Sequence, residues 1–93
     1  MENDFRKNHV IACKPLSDYR VWIKFEDGLE GVVSLRDLVK LPAFAEAWES
    51  IEQFNQVRID SRTQTVTWGE EGNEVDVAPS SLRNRILKMR QDI

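Results

Sequence analysis

The sequence predicts an α+β fold: an antiparallel sheet of two hairpin units, about five to six strands in all, with an amphipathic helix between them and a C-terminal helix. Three observations predict this class. Apolar and polar side chains alternate strictly over residues 19–26, which is the period of a half-buried strand. A second pair of strand-like segments lies within residues 57–68. Apolar residues recur at helical spacing over residues 43–54 and again over residues 82–93.

The first hairpin unit begins with a short strand over residues 9–14, which Pro15 is expected to end. Asp27 and Gly28 follow the next strand, and this dipeptide is typical of a tight type I′ turn. Gly31 lies in the middle of the returning strand, where a missing side chain predicts a bulge or the close approach of another element. Four alternating side chains are expected to face the core: Tyr19, Val21, Ile23 and Phe25.

The helices are predicted from proline positions and periodicity. Residues 35–39 fit about one helical turn, and Pro42 opens a helix that continues over residues 43–54. The apolar positions of that helix fall within about 120° of one another, so it is expected to lie on the sheet. They are Phe44, Ala47, Trp48, Ile51 and Phe54. Residues 74–77 are expected to form a short edge strand, and Pro79 starts the last helix, over residues 79–93.

The 93 residues are expected to form a single domain, residues 1–93, with residues 1–8 frayed. With 41% hydrophobic and 31% charged residues the composition is that of an ordinary globular protein. No apolar run approaches the roughly 20 residues of a membrane helix, and the acidic start resembles neither a secretory signal nor an anchor. The expected location is therefore the cytoplasm, without membrane contact.

The residue types that support catalysis or cofactor binding are sparse. Cys13 is the one cysteine, which excludes an internal disulfide, and His9 lies about 13 Å away along the same strand, too far to share a metal. Glycines form no phosphate-binding loop, and the acidic residues near position 70 lack the spacing of a calcium loop. The sequence therefore predicts a protein that is not an enzyme, with no catalytic residues, cofactor or metal site.

The C-terminal helix carries the first candidate binding surface. Its apolar stripe and basic flanks allow three interpretations: packing on its own sheet, docking to a partner protein or a second copy as a homodimer, and contact with nucleic-acid phosphates. The residues concerned are Leu82, Arg83, Arg85, Ile86, Leu87, Lys88, Met89 and Arg90.

A second candidate surface lies on the polar face of the first hairpin, where Trp22 stands between Arg20 and Lys24. Aromatic side chains flanked by cations bind single-stranded nucleic acid in other proteins, and they also bind protein partners. The other interpretation is that a helix covers Trp22 while Arg20 and Lys24 extend past it to solvent.

The order of these features resembles a bacterial family of small proteins catalogued as domain of unknown function 2442. Residues 25–31 match its F-x-D-G-x-x-G-like hairpin and residues 35–38 its L-x-D-L turn. A phenylalanine then precedes an alternating strand in residues 54–60, a T-V-x-W-like strand covers residues 65–68, and a D-[IV]-x-P-like helix entry covers residues 76–79.

The resemblance implies an α+β fold and a role that is not known, with no catalytic residues. Some relatives are fused to a helix-turn-helix DNA-binding domain, and some are encoded near toxin-like partners; the 93 residues leave no room for that additional domain. The expected function is a non-enzymatic bacterial protein-interaction module or small accessory protein. The alternative is a nucleic-acid-binding or antitoxin-like regulator that uses the basic C-terminal helix.

Overall fold

From Val10 to Gln91 the chain forms two three-stranded antiparallel sheets, a 3-10 helix and three α-helices. The computed structural model describes residues 8–91, and the side chains of residues 8–89. Sheet A has the order β1 (Val10–Leu16), β2 (Arg20–Phe25), β3 (Glu30–Ser34), and sheet B the order β4 (Arg58–Asp60), β5 (Thr65–Trp68), β6 (Val75–Asp76). The helical segments are a 3-10 helix (Arg36–Lys40), α1 (Pro42–Ala47), α2 (Ile51–Phe54) and α3 (Pro79–Gln91).

The predicted α+β class is confirmed, with the six strands of the described residues divided between two sheets. β1 lies alongside β4 and β5, and one backbone hydrogen bond joins the sheets there, from the Val10 N–H to the Gln64 carbonyl at 2.9 Å. The register of β1 shifts between Val10 and Ala12, which is an irregularity at the same place. The prediction that residues 1–8 are frayed concerns residues that, apart from Asn8, are outside the described part of the chain. Residues 92 and 93 of the predicted last helix are also outside it.

The turn between β2 and β3 differs from the predicted type. The Phe25 N–H donates to the Leu29 carbonyl at 2.8 Å, and the Gly28 N–H donates to the Phe25 carbonyl at 3.0 Å. Gly28 has a φ of 99°, whereas Asp27 keeps a negative φ. This is a three-residue loop made of a type I turn and a glycine bulge. The type I′ prediction is wrong because it needs a positive φ at both central residues.

The ends of β1 and β2 also lie elsewhere than predicted. β1 continues through Pro15, which pairs with Val21, because β1 is an outer strand of its sheet and needs no N–H donor at that position. Tyr19 lies in the turn before β2, with a φ of 58°, and not in the strand. Its ring nevertheless contacts the rings of Trp48 and Phe54, so the expected core contact is made from the turn.

The single helix predicted over residues 43–54 is wrong, because the chain breaks it into α1 and α2. Trp48 ends α1 with φ −115° and ψ 45°, and Ser50 begins α2 with extended backbone angles. The Ser50 hydroxyl accepts a hydrogen bond from the Gln53 N–H, and the Gln53 side chain accepts one from the Ser50 N–H, which is a capping box. The break changes the helical phase, so Ile51 is 48% exposed instead of buried.

The core lies between the inner faces of the sheets and the helices. Trp48 contacts the rings of Phe44, Phe54 and Trp68, which confirms the predicted aromatic core. The buried Trp68 Nε1–H donates to the Phe54 carbonyl at 2.8 Å. α3 closes the core with Leu82 and Ile86, which pack with residues from both sheets. No helix within residues 8–91 is long and apolar enough to cross a membrane.

Candidate functional site

The first candidate surface, on α3, divides into a buried part and an exposed part. Leu82 is fully buried and Ile86 is 3% exposed. A Cβ atom at Gly31 would lie 2.9 Å from Ile86 Cγ2, so the missing side chain allows α3 to approach β3 closely, as the sequence predicts. Leu82 and Ile86 are therefore core residues of this chain, and neither is accessible to a partner in this fold.

Arg83 holds one flank of α3 to sheet A. Its guanidinium lies 4.7 Å from the centre of the Phe25 ring and 3.0 Å from the Asp27 carboxylate, and its Nε–H donates to the Asn8 side chain at 3.0 Å. Cation–π contact and ion pairing together fix the side chain over the end of the first hairpin. The positive charge of Arg83 is therefore paired with groups of the same chain.

Arg85 holds the other flank of α3. It donates two hydrogen bonds to the Asp37 carboxylate, at 2.9 and 3.0 Å, and a third to the Ser34 carbonyl at 2.8 Å. The hydrogen bonds from Arg85 lower the pKa of the Asp37 carboxyl, so this group is ionised at neutral pH. The arrangement ties α3 to the end of β3 and to the 3-10 helix, and it leaves neither charge free.

The exposed apolar residues of α3 lie on opposite flanks. Leu87 is 40% exposed and Met89 is 57% exposed. Two residues along a helix turn by about 200°, so Leu87 lies on the Arg83 side and Met89 on the Arg85 side. The four predicted apolar docking residues therefore do not form one surface. Lys88 is exposed, and the side chain of Arg90 lies outside the described residues.

An open groove beside Met89 is the candidate site that the structure adds. Its volume is about 390 Å³. We name it the β3–α3 groove; it lies between the edge of sheet A, the 3-10 helix and α3, and its lining residues are Val33, Ser34, Asp37, Arg85, Lys88 and Met89. The three on α3 are among the binding residues that the sequence predicts, whereas the three from β3 and the 3-10 helix are not. The signal that could have identified Asp37 is its place as the acidic residue of the L-x-D-L turn.

The second candidate surface is on the outer face of sheet A, opposite to α3. Trp22 is half-buried there, and its Nε1–H donates to the Glu30 carboxylate at 3.1 Å. Arg20 donates to the Ser17 carbonyl and hydroxyl at 2.9 and 3.0 Å, while Lys24 is half-buried. The interpretation that a helix covers Trp22 is wrong for the helices of residues 8–91, which pack on the other face.

The remaining polar features of the described residues are dispersed. A second open groove, of about 500 Å³, lies between α1, α2 and the β5–β6 loop, and Glu46, Glu49 and Glu70 are among its lining residues. Within residues 8–91, no three His, Cys, Asp or Glu side chains are placed to hold a metal ion together. His9 lies 3.5 Å from the Glu26 carboxylate. The pKa of the Cys13 thiol is raised by burial.

Comparison with known proteins gives one result. A search of curated proteins found no match, and a search of solved structures found none either. A protein-family model described as "Protein of unknown function (DUF2442)" matches residues 10–88, which extend from β1 almost to the end of α3 and include the whole β3–α3 groove apart from Met89. The chain therefore belongs to the DUF2442 family.

Proposed function

We propose that this chain is a non-enzymatic interaction module that binds a partner protein at the β3–α3 groove. The observation that carries the proposal is Met89, a large apolar side chain that is 57% exposed at the rim of a groove of about 390 Å³. Exposed apolar side chains beside a concave surface with polar groups at its rim are typical of protein contact sites.

The charges of the groove support binding more than catalysis. Asp37 is ionised and held by Arg85, whose hydrogen bonds lower the pKa of its carboxyl group. General acid–base catalysis near neutral pH is most efficient with a group whose pKa is close to the pH, and the lowered pKa of Asp37 is further from neutral pH than that of an ordinary carboxyl group. Asp37, Arg85 and Lys88 can, however, orient a polar partner.

We do not propose nucleic-acid binding by α3. Arg83 and Arg85 are both held by carboxylates of this chain, which would have to be displaced before either could contact a phosphate. The outer face of sheet A is no better suited to this function. The Glu30 carboxylate accepts a hydrogen bond from the Trp22 Nε1–H, and its negative charge would repel the phosphate next to a stacked base.

Affinity capture from a lysate of the source organism tests the proposal. The immobilised wild-type chain is compared with Met89→Asp, which places a charge in the groove, and with Leu87→Asp, which makes the same change on the opposite flank of α3. We expect a protein that is retained by the wild type and by Leu87→Asp and lost by Met89→Asp. A partner retained equally by all three chains, or no specifically retained protein, contradicts the proposal.

A further inference from the structure

β3 is an outer strand with backbone groups directed away from its sheet. In residues 8–91, β3 pairs with β2 on one side, and no strand pairs with it on the other. Backbone hydrogen bonds join Phe25 to Leu29 and Leu35 to Tyr19. The residues of β3 that are hydrogen-bonded to β2 are therefore the odd-numbered ones. The N–H and C=O groups of Val32 and Ser34 therefore point outward.

Arg85 defines one end of this open edge. Its guanidinium donates one hydrogen bond to the Ser34 carbonyl and another to the Asp37 carboxylate. The N–H and C=O of Val32 and the N–H of Ser34 lie before that point, and together they can make three hydrogen bonds to an added strand. An edge with such groups is a template on which another strand can pair.

The β3–α3 groove begins at the same edge. Val33 faces the core and lines the groove, whereas Val32 faces the outer side of the sheet. Side chains of paired strands share a face, so the residue of an added strand that lies opposite Val33 would point toward the groove, between Val33 and Met89. Its two neighbours would lie on the outer face, one of them beside Val32.

We propose that β3 binds an extended segment of the partner by strand addition, with one apolar side chain of that segment in the β3–α3 groove and a carboxylate next to Lys88. This inference rests on the proposed function and names the form of its partner. Main-chain hydrogen bonds to Val32 supply affinity, and the groove selects the side chain. Lys88 has no ion-pair partner among the described residues, whereas Arg85 is neutralised by Asp37, so the groove favours an acidic segment.

A second copy of this chain fits the edge less well than a single segment. Strands pair about 4.8 Å apart, whereas packed helices need about 8–10 Å between their axes. α3 lies directly over β3, with Ile86 against Gly31, so two copies joined through β3 would bring their α3 helices too close. In an antiparallel pairing centred on Val32, Gly31 of the second copy would lie opposite Val33 and would leave the groove empty.

The test begins with the whole chain and a phage-displayed library of random twelve-residue peptides. We expect the selected peptides to alternate apolar and polar residues and to include Asp or Glu. A synthetic consensus peptide is then titrated against the wild type and against variants, with binding measured by calorimetry. In the wild type, amide hydrogen exchange at Val32 should slow when the peptide is added, which needs no variant.

The principal variant is Val32→Pro, which removes the outward N–H and leaves the β2–β3 hydrogen bonds in place. We expect it to weaken binding about ten-fold or more, because a main-chain hydrogen bond is lost at the centre of the pairing. Lys88→Gln should weaken binding by about two- to five-fold. Val32→Thr retains the N–H, and Leu87→Asp lies on the other flank; both should bind as the wild type does.

The outcomes separate this inference from the proposed function. A peptide whose binding is lost in Met89→Asp, but is unchanged in Val32→Pro, leaves the groove as a binding site and overturns strand addition. Strand addition is also overturned if the peptide leaves the amide hydrogen exchange of Val32 unchanged, or if the apolar residues of the selected peptides recur at helical spacing. A dimer in sedimentation that Val32→Pro dissociates assigns the edge to a second copy and also overturns the inference. Binding unaffected by both variants contradicts both proposals.

Discussion

Gly31→Ala tests the contact that places α3 on sheet A. The added Cβ would lie 2.9 Å from Ile86 Cγ2, 3.3 Å from Cγ1 and 3.6 Å from Cδ1. Crowding of a packed core costs about 1–3 kcal/mol, whereas replacing a strand glycine by alanine is otherwise favourable by about 0.5–1 kcal/mol. A fall in the free energy of unfolding would therefore show that crowding against Ile86 outweighs the gain from replacing glycine. We expect the free energy of unfolding to fall by about 1–2 kcal/mol, with Tm lower by roughly 5–15 °C.

A double-mutant cycle with Ile86→Ala attributes the effect to this contact. Ile86→Ala alone removes all three crowding atoms and should cost about 2–5 kcal/mol, because it leaves a cavity in the core. In the double variant the methyl group added at position 31 enters that space, so the combined loss should be smaller than the sum by at least about 1 kcal/mol. Urea unfolding followed by the fluorescence of the buried Trp48 and Trp68 measures each free energy. Additivity within about 0.5 kcal/mol would refute the reasoning.

Three further predictions concern single side chains. Trp68→Phe keeps an aromatic ring but removes the donor to the Phe54 carbonyl, so the free energy of unfolding should fall by about 1–3 kcal/mol in urea titrations. The lowered pKa of Asp37 stabilises the folded chain above the ordinary carboxyl pKa, and this stabilisation is lost as the pH falls through the lower pKa of the folded state. Because the Asp37 side chain is 63% exposed, the contribution is about 0.5 kcal/mol. Asp37→Asn should therefore lower the free energy of unfolding by that amount at pH 7 but change it little at pH 2. The raised pKa of the Cys13 thiol keeps it protonated, so a disulfide reagent at pH 7 should react more slowly with the folded chain than in urea; equal rates would contradict this.

The strands were predictable because their signals are local. Alternation over residues 19–26, the β-branched residues within 65–68 and the glycine after Asp27 depend on neighbouring residues, and the structure has strands and a turn there. The break between α1 and α2 was also readable, since Ser50 and Gln53 have the spacing of a capping box. The apolar spacing nevertheless continues across the break and predicts one helix, because Trp48 is buried in the broken chain as it would be in a continuous helix.

The candidate site was only partly predictable, for a physical reason. Periodicity places Ile86 and Met89 on one side of α3 but does not show which of them the sheet covers. That depends on how closely α3 approaches β3, and Gly31, far earlier in the chain, sets this distance. Likewise, the helix pattern alone presents Arg85 as a free cation, because its partner Asp37 lies in a separate element. Contacts between distant segments decide exposure, and the sequence alone does not contain them explicitly.

The position of α3 in the chain order has a consequence for how the protein is made. Sheets A and B share one core, and Leu82 and Ile86 of α3 belong to it, while the Thr65 hydroxyl donates to the Val77 carbonyl just before α3. Small sheets are not stable alone unless a helix or a further layer covers them. On the ribosome both sheets emerge before α3, so the nascent chain must keep apolar faces uncovered until α3 leaves the exit tunnel, and stable folding follows the completion of α3.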